Sequence, residues 1–333
     1  MSLTRPLVIL LLLALLGFLA LQRCAGERPQ QLSRSRILMG TVVEISASSA
    51  DPGRLEAAVT DAFAEMTRIE GLMRPAGEGS DVARLTVSEQ GTEVAPETAE
   101  VIALGLQVAA ASGGAFDMGL GRLKALWGIE TETPRVPAPP EIRQALAGAG
   151  LGDLRLDGRR VEKAQPALAV DLGAIAKGYA VDRAVEVLRR AGIESAAVNA
   201  GGNIRLIGDH GGRPWRIAIQ HPREAAGQLA VLELVDTSVS TSGDYERFFE
   251  QDGVRYHHIL DPRTGYPAGR CQSVTVVTAS AALADALSTA AFVLGPEEGL
   301  ALLQRFPATE GLIVAADGTR HASPGLEARL TWR

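Results

Sequence analysis

Residues 167–190, ALAVDLGAIAKGYAVDRAVEVLRR, carry the clearest structural signal in the chain. The apolar residues 167–170 predict a strand, and the helical spacing of apolar side chains over 175–190 predicts an amphipathic helix. Gly192 follows as a helix stop. A strand that leads directly into a helix indicates a domain in which helices pack against a sheet.

Similar strand and helix patterns alternate along most of the chain. Apolar residues at steps of three and four predict helices over residues 54–73, 96–111, 141–149, 280–294 and 296–306. Short β-branched or apolar runs predict strands over residues 37–45, 154–156, 196–199, 204–207, 215–219, 229–235, 274–278 and 312–315. Four prolines within residues 132–140 indicate an extended surface segment. We therefore expect an α+β fold in which helices pack against a mixed or antiparallel sheet core.

Composition limits the classes of protein to consider. The 333-residue chain is 46% hydrophobic and 22% charged, so it can bury a large core, which excludes an intrinsically disordered protein. Its formal net charge of −6 argues against a nucleic-acid partner, which requires an excess of Lys and Arg. The two cysteines, Cys24 and Cys271, are too few for a disulfide framework or a zinc site.

An apolar run over residues 7–21 opens the chain, and it is shorter than the roughly 20 residues that span a bilayer. We divide the sequence into a signal, lipoprotein-like or anchor segment, 1–24, a polar linker, 25–36, and one domain, 37–333. Two means of attachment stay open, a lipid on Cys24 and a retained signal anchor. Both predict that the domain lies outside the cytoplasm.

Two turns combine glycine with acidic residues, as a polyphosphate ligand with a divalent cation requires. In GGAFD, residues 113–117, paired glycines permit close backbone approach and Phe116 offers an apolar face; a helix stop with a core phenylalanine is the alternative. In residues 171–182, Lys177 lies in the first turn of a helix, where anions bind. The alternative role of Asp171 is an N-cap of that helix.

Two further regions are candidate ligand contacts. The turn NAGGN, residues 199–203, suits either a tight loop near a ligand or a bulged hairpin. Residues 241–247 and 256–267 are dense in hydroxyls, charges and imidazoles. Adjacent side chains on a strand face opposite ways, so only one of His257 and His258 can enter a pocket, and the other is structural.

One helix carries a candidate metal site. Within residues 280–294, Asp285 and Thr289 are four residues apart and share a helix face. A carboxylate buried among Ala and Leu needs a cation or hydrogen-bond donors, since isolated burial is costly. Carboxylate and hydroxyl oxygens suit Mg²⁺ better than zinc or copper. The structural alternative is that Asp285 caps a neighbouring loop.

The order and content of these motifs resemble the ApbE family of FAD:protein FMN transferases. The match covers nearly all of the chain after the linker. The segments that carry it are Met39-Gly40-Thr41, Ala115-Phe116-Asp117, residues 171–182, 199–203, 241–247 and 258–267, and Ala284-Asp285-Ala286-Leu287-Ser288-Thr289.

The resemblance implies an enzyme that binds FAD and Mg²⁺, cleaves the FAD pyrophosphate and transfers FMN to a Thr or Ser hydroxyl of a target protein, with release of AMP. It implies a position at the bacterial inner membrane, on the periplasmic side. The implied acceptors are subunits of membrane redox complexes that carry a short motif of Ser or Asp, Gly, Ala and the modified residue. Two other functions stay open: a Mg-dependent FAD pyrophosphatase that releases FMN and AMP, and a membrane-tethered flavin-binding protein without turnover.

The resemblance also implies roles for individual residues. Asp285 and Thr289 supply side-chain ligands to Mg²⁺, and Ala174 supplies a backbone carbonyl. His258 is the candidate base for the acceptor hydroxyl, with Asp171 and Asp244 as rivals. The implied flavin-nucleotide contacts are Met39, Ala115, Phe116, Asp117, Asp171, Lys177 and His258.

The chain departs from related sequences in one loop. Residues 73–79, MRPAGEG, lack the aromatic residue that those sequences tend to have shortly before Ser80. No ring is therefore available there to stack on a flavin, and we expect a more open site at this loop.

Overall fold

The computed structural model describes residues 29–147, 149–150 and 154–333. The predicted leader, 1–24, which includes Cys24, lies outside the described residues. Within those residues, no helix is long and apolar enough to cross a membrane.

Helices and strands alternate along the described chain. The helices are α1 (Pro52–Met73), α2 (Asp81–Val87), α3 (Pro96–Ala111), α4 (Gly121–Trp127), α5 (Pro139–Leu146), α6 (Ala176–Arg190), α7 (Ala281–Leu294), α8 (Pro296–Leu303) and α9 (Pro324–Glu327). The strands are β1 (Gln30–Leu38), β2 (Thr41–Ser49), β3 (Gly91–Glu93), β4 (Leu154–Asp157), β5 (Arg160–Lys163), β6 (Ser195–Ala200), β7 (Asn203–Ile207), β8 (Trp215–Gln220), β9 (Gln228–Leu234), β10 (Ser238–Gly243), β11 (Phe248–Gln251), β12 (Val254–His257), β13 (Cys271–Thr278), β14 (Glu310–Ala315), β15 (Arg320–Ala322) and β16 (Leu330–Trp332).

The main sheet has eight strands in the order β1-β2-β6-β7-β10-β13-β14-β15. Helices α1, α6, α7 and α8 pack against one of its faces. On that side, Ile45 and Val276 of the sheet join Phe63 and Leu287 of the helices in the main hydrophobic core. The predicted α+β class is confirmed, and neighbouring strands of this sheet are antiparallel.

A three-stranded sheet, β16-β9-β8, covers part of the second face of the main sheet. Strand alternation brings Leu206, Val239 and Val277 to this side, where they pack with Leu229 and Leu232 of the small sheet. The described residues of β1 and β2 take no part in this second core. The small sheet therefore leaves one end of the main sheet uncovered.

Two predictions about the start of the domain are wrong. Residues 30–36, predicted as part of a linker, form most of β1, and residues 37–45, predicted as one strand, contain a turn. Met39 and Gly40 have φ angles of 53° and 68°, as a two-residue hairpin turn requires. The side chains of β1 are largely polar because most of them stay exposed, although the strand pairs with β2 along its whole length.

A third correction concerns residues 167–170, which the sequence predicts as a strand. Ala169 forms only an isolated bridge with Leu120. The segment is apolar because Leu168 and Val170 are buried in the main core, and it belongs to none of the sheets of the described chain. The other predicted strands are confirmed as β4, β6, β7, β8, β9, β13 and β14, and the long predicted helices as α1, α3, α6 and α7.

Candidate functional site

One pocket of about 400 Å³ lies where the β1–β2 turn, the first turn of α6 and one face of α7 meet. Loops that follow α3 and β12 complete its wall. The loop before α2 contributes Met73, Arg74 and Pro75, so this part of the wall carries no aromatic ring. The residues predicted as flavin-nucleotide contacts and as metal ligands all line this pocket: Met39, Ala115, Phe116, Asp117, Asp171, Ala174, Lys177, His258, Asp285 and Thr289.

The Asp285 carboxylate is held where α6 and α7 cross closely. A Cβ on Gly178 would lie 2.2 Å from the Ala281 carbonyl, so only glycine permits this approach. The Gly178 N–H, in the first turn of α6, donates to Asp285 Oδ2 at 3.0 Å. Lys177 Nζ lies 3.7 Å from the same oxygen and donates to the Gly173 carbonyl at 2.8 Å. Asp285 thus faces the free amide end of a helix and one cation.

Burial dominates the electrostatics of Asp285. The residue is 4% exposed, and burial raises the pKa of its carboxyl even though Lys177, the Gly178 N–H and Asn203 favour the ionised form. The Thr289 hydroxyl, one helical turn further along α7, lies 3.4 Å from Ser242 Oγ. The positive charge around the Asp285 carboxylate does not offset its burial. This carboxylate and the Thr289 hydroxyl can therefore accept a hard cation.

Asp171 has the opposite surroundings. Its Oδ1 accepts from Lys124 Nζ at 2.8 Å and from the Gly173 N–H at 2.9 Å. Burial alone raises the pKa of Asp171, but the Lys124 ammonium and the Gly173 N–H outweigh it and bring the pKa below its usual value. Asp171 does not cap α6, because Ile175 occupies the N-cap position. Asp171 therefore stays ionised and fixes the turn that leads into α6.

The two adjacent histidines lie in different surroundings. His257 is buried at the end of β12, with Nε2 2.9 Å from the Ala268 carbonyl and its ring edge-on to Phe292. His258 lines the pocket, and its Nδ1 lies 3.3 Å from the Arg247 carbonyl oxygen. A carbonyl only accepts, so Nδ1 carries the proton and Nε2 keeps a free lone pair. His257 is the structural member of the pair.

The pKa of His258 is lowered to about 3. Burial is the main cause, and the positive charges of Lys124, Lys177 and Arg247 act in the same direction, while Glu130 opposes them. The imidazole is therefore neutral at physiological pH. A neutral ring with an available Nε2 can accept a hydrogen bond from a hydroxyl group.

Arg247 joins three parts of the pocket wall. Its Nη1 donates to Glu130 Oε1 at 2.7 Å, and its Nη2 donates to the Gly40 carbonyl of the β1–β2 turn at 3.2 Å. Its own carbonyl holds His258. This role of Arg247 was not predicted from the sequence, and neither were those of Lys124 and Glu130. None of these three residues has a sequence spacing that indicates its partner.

Asp244, predicted as a rival base, is not brought to the pocket. Both of its carboxylate oxygens accept from the Arg223 guanidinium at 2.7 Å, and the residue is 7% exposed. Such a bidentate ion pair stabilises the ionised carboxylate in place. Asp244 therefore serves to hold the loop after β10, and its prediction as a base is wrong.

The fold and the pocket define a class: α+β proteins with one pocket that brings together a lysine, a buried carboxylate and a neutral histidine. The model of the ApbE family matches residues 39–313. The chain belongs to the ApbE family.

Relatives of this chain agree in name and in fold. A Treponema pallidum protein named FAD:protein FMN transferase is 34% identical over 92% of this chain and 91% of its own. A Rhodobacter capsulatus protein of the same name is 36% identical over 90% of this chain, which spans only 58% of that relative. The solved ApbE protein from Thermotoga maritima has a TM-score of 0.83 at 37% identity, over 90% of this chain and 99% of its own. The flavin transferase ApbE from Vibrio cholerae has a TM-score of 0.80 at 33% identity, over 91% and 100%.

Proposed function

We propose that this chain is an FAD:protein FMN transferase that works with Mg²⁺. One observation carries the proposal: a single pocket brings the buried carboxylate of Asp285 and the Thr289 hydroxyl together with Lys177 and a neutral His258. Membership of the ApbE family supports the same reaction. The pocket has room for part of a dinucleotide, and its remaining side is open to a second substrate.

Mg²⁺ fits the residues present. It takes hard oxygen ligands and is usually held by one or two carboxylates together with substrate phosphates. Asp285, Thr289 and the Ala174 carbonyl are such donors, and all three residues line the pocket. Within the described ranges, no three His, Cys, Asp or Glu side chains are grouped to hold a metal. When bound, Mg²⁺ would neutralise charge on the diphosphate.

The residues of the chain can carry the remaining steps. Lys177 stabilises negative charge on the diphosphate of FAD. The Nε2 of His258 accepts the proton of the acceptor hydroxyl. The hydroxyl oxygen forms a bond to the phosphorus of the FMN half, the bond from that phosphorus to the bridging oxygen breaks, and AMP leaves with that oxygen and the electron pair. Asp171 is less suited to be the base, because its Oδ1 already accepts from Lys124 Nζ and the Gly173 N–H.

We further propose that the protein acts at the bacterial inner membrane, on the periplasmic side, and that its acceptors are subunits of membrane redox complexes. The apolar run over residues 7–21 supports a membrane address. Attachment follows from a lipid on Cys24 or from a retained signal anchor.

The full chain, purified in mild detergent, should be incubated with FAD, Mg²⁺ and a carrier protein that displays Ser-Gly-Ala-Thr. We expect covalent yellow flavin on the carrier and one AMP for each FMN attached, both measured by mass spectrometry and chromatography. Chelation of Mg²⁺ should stop both products. Free FMN and AMP without modified carrier would instead identify a pyrophosphatase, and bound FAD without AMP would identify a flavin carrier.

A further inference from the structure

Two of the large apolar side chains that are exposed in the described residues lie beside the pocket. Ile37 and Val42 of the β1–β2 hairpin are 81% and 59% exposed. The turn between Ile37 and Val42 lines the pocket. Arg247 donates to the Gly40 carbonyl of that turn. We call Ile37 and Val42 the apolar rim.

Ile37 and Val42 continue a face of the main sheet that is buried elsewhere. They are direct partners in the β1–β2 register, so their side chains lie together on one face. Val43 and Ile45 alternate with Val42 and point to the helices. The opposite face, which Val42 shares, is the one that the small sheet covers at Ala197 and beyond. The small sheet does not extend over Val42, so among the described residues this end of the face is uncovered beside the turn that lines the pocket.

The backbone of β1 is available as well. β1 is the terminal strand of the main sheet, so its outer edge pairs with no strand of the described chain. In a two-residue hairpin the residues that flank the turn, Leu38 and Thr41, exchange backbone hydrogen bonds. The N–H and C=O of Ile37 then point to the open edge. Such an edge binds a peptide in extended conformation.

We propose that the apolar rim and the open edge of β1 dock the acceptor protein as an extended segment with apolar side chains beside the modified Thr or Ser. The inference rests on the proposed function, because a protein acceptor must lie against the pocket in every turnover. The edge supplies hydrogen bonds to any extended backbone, and the rim selects the apolar neighbours. This surface is continuous with the wall that Met39 and Gly40 contribute to the pocket.

The test compares two carrier proteins as flavin acceptors. The full chain, in mild detergent, is the enzyme. Both display Ser-Gly-Ala-Thr, one with Leu and Val on either side and the other with Ser and Gly. We expect kcat/KM for flavin transfer to be about tenfold higher for the apolar carrier. The double variant Ile37→Ser/Val42→Ser should lose most of this preference. Val87→Ser is the matched control, because Val87 is 83% exposed on α2 and does not line the pocket.

The preference is a ratio measured on one preparation, so a smaller folded fraction in a variant does not change it. Equal kcat/KM for the two carriers in the unchanged protein would overturn the docking surface and leave the transferase intact. Release of FMN and AMP with neither carrier modified would overturn the proposed function itself. A dimer that disappears in the double variant, with the preference retained, would show that a second copy occupies the rim and would also refute the proposal.

Discussion

Two aspartates, the half-buried Asp171 and the buried Asp285, line the same pocket and have opposite pKa shifts. Lys124 and the Gly173 N–H hold Asp171 ionised, and they bring its pKa below the usual value against the effect of burial. Burial raises the pKa of Asp285, whose nearest cation, Lys177, stands 3.7 Å away. Asp171 therefore has its cation built into the fold, whereas Asp285 has no cation at hydrogen-bond distance, which supports the Mg²⁺ site proposed there.

The largest effect should follow a change at Asp285. Asp285→Asn removes the charge that a cation needs, and we expect AMP release from FAD to fall roughly 10³-fold at saturating Mg²⁺. Asp244→Asn is the control, because its carboxylate is also buried but pairs with Arg223 outside the pocket. The control should keep its activity per folded molecule. Equal losses in both variants would break the contrast between a cation-binding carboxylate and a structural one.

The second largest effect should follow a change at His258, the neutral imidazole of the same pocket. His258→Gln removes the proton acceptor, and transfer to the carrier protein should fall roughly 10²-fold. His257→Gln tests the neighbouring ring, which contacts the Ala268 carbonyl and Phe292 away from the pocket. That variant should unfold at lower temperature while its kcat per folded molecule is retained. Transfer that is unaffected by His258→Gln would exclude His258 as the base.

The sequence predicts much of this arrangement because its signals are local. Helical periodicity is strong over 54–73 and 175–190, and the acid–hydroxyl pair of α7 lies within one helical turn. β1 is missed because its largely polar side chains resemble a linker, although it pairs fully with β2. A strand at a sheet edge with exposed faces carries no apolar alternation for a sequence to reveal.

The roles of Lys124 and Arg247 could not be predicted in the same way. Lys124 meets Asp171 across 47 residues, and Arg247 meets Glu130 across 117 residues. No spacing rule connects such partners, since only the fold brings them together. The family resemblance supplied candidate positions for nucleotide binding, but the charges that set the protonation of Asp171 and His258 became visible only in three dimensions.

Replacing Lys124 should leave the Asp171 carboxylate, like that of Asp285, without a cation at hydrogen-bond distance. Lys124→Met leaves Asp171 buried without its main partner, and we expect a loss of about 2 kcal/mol in the free energy of unfolding, because the pair is partly exposed. The double variant Lys124→Met/Asp171→Asn should recover most of this loss. The measurement is urea denaturation of all three proteins at pH 7. If the double variant is no more stable than Lys124→Met, the loss of stability does not come from an unpaired Asp171 carboxylate.

A change at Arg247 tests whether its contacts with other parts of the pocket wall are needed to bind FAD. Arg247→Gln loses the contacts with Glu130 and the Gly40 carbonyl, so the β1–β2 turn is less well positioned. We expect KM for FAD to rise about tenfold with a smaller change in kcat, since positioning contacts chiefly affect binding. Arg135→Gln is the matched control, because Arg135 forms a similar pair with Glu141 on the surface. A change in kcat alone would contradict a positioning role.

The smallest effect is a pH dependence that arises from His258. Its pKa is about 3 in the folded protein, below the 6.5 of a free histidine, so between these values the unfolded chain binds a proton that the folded chain does not. Stability must therefore fall as the pH is lowered through this window. Between pH 7 and pH 5.5, His258 accounts for a fall of about 1 kcal/mol in the free energy of unfolding. The free energy of unfolding of His258→Gln should therefore fall by that much less over the same interval. Unfolding by urea at the two pH values measures the difference, and an unchanged difference would show that the ring is protonated in the folded pocket.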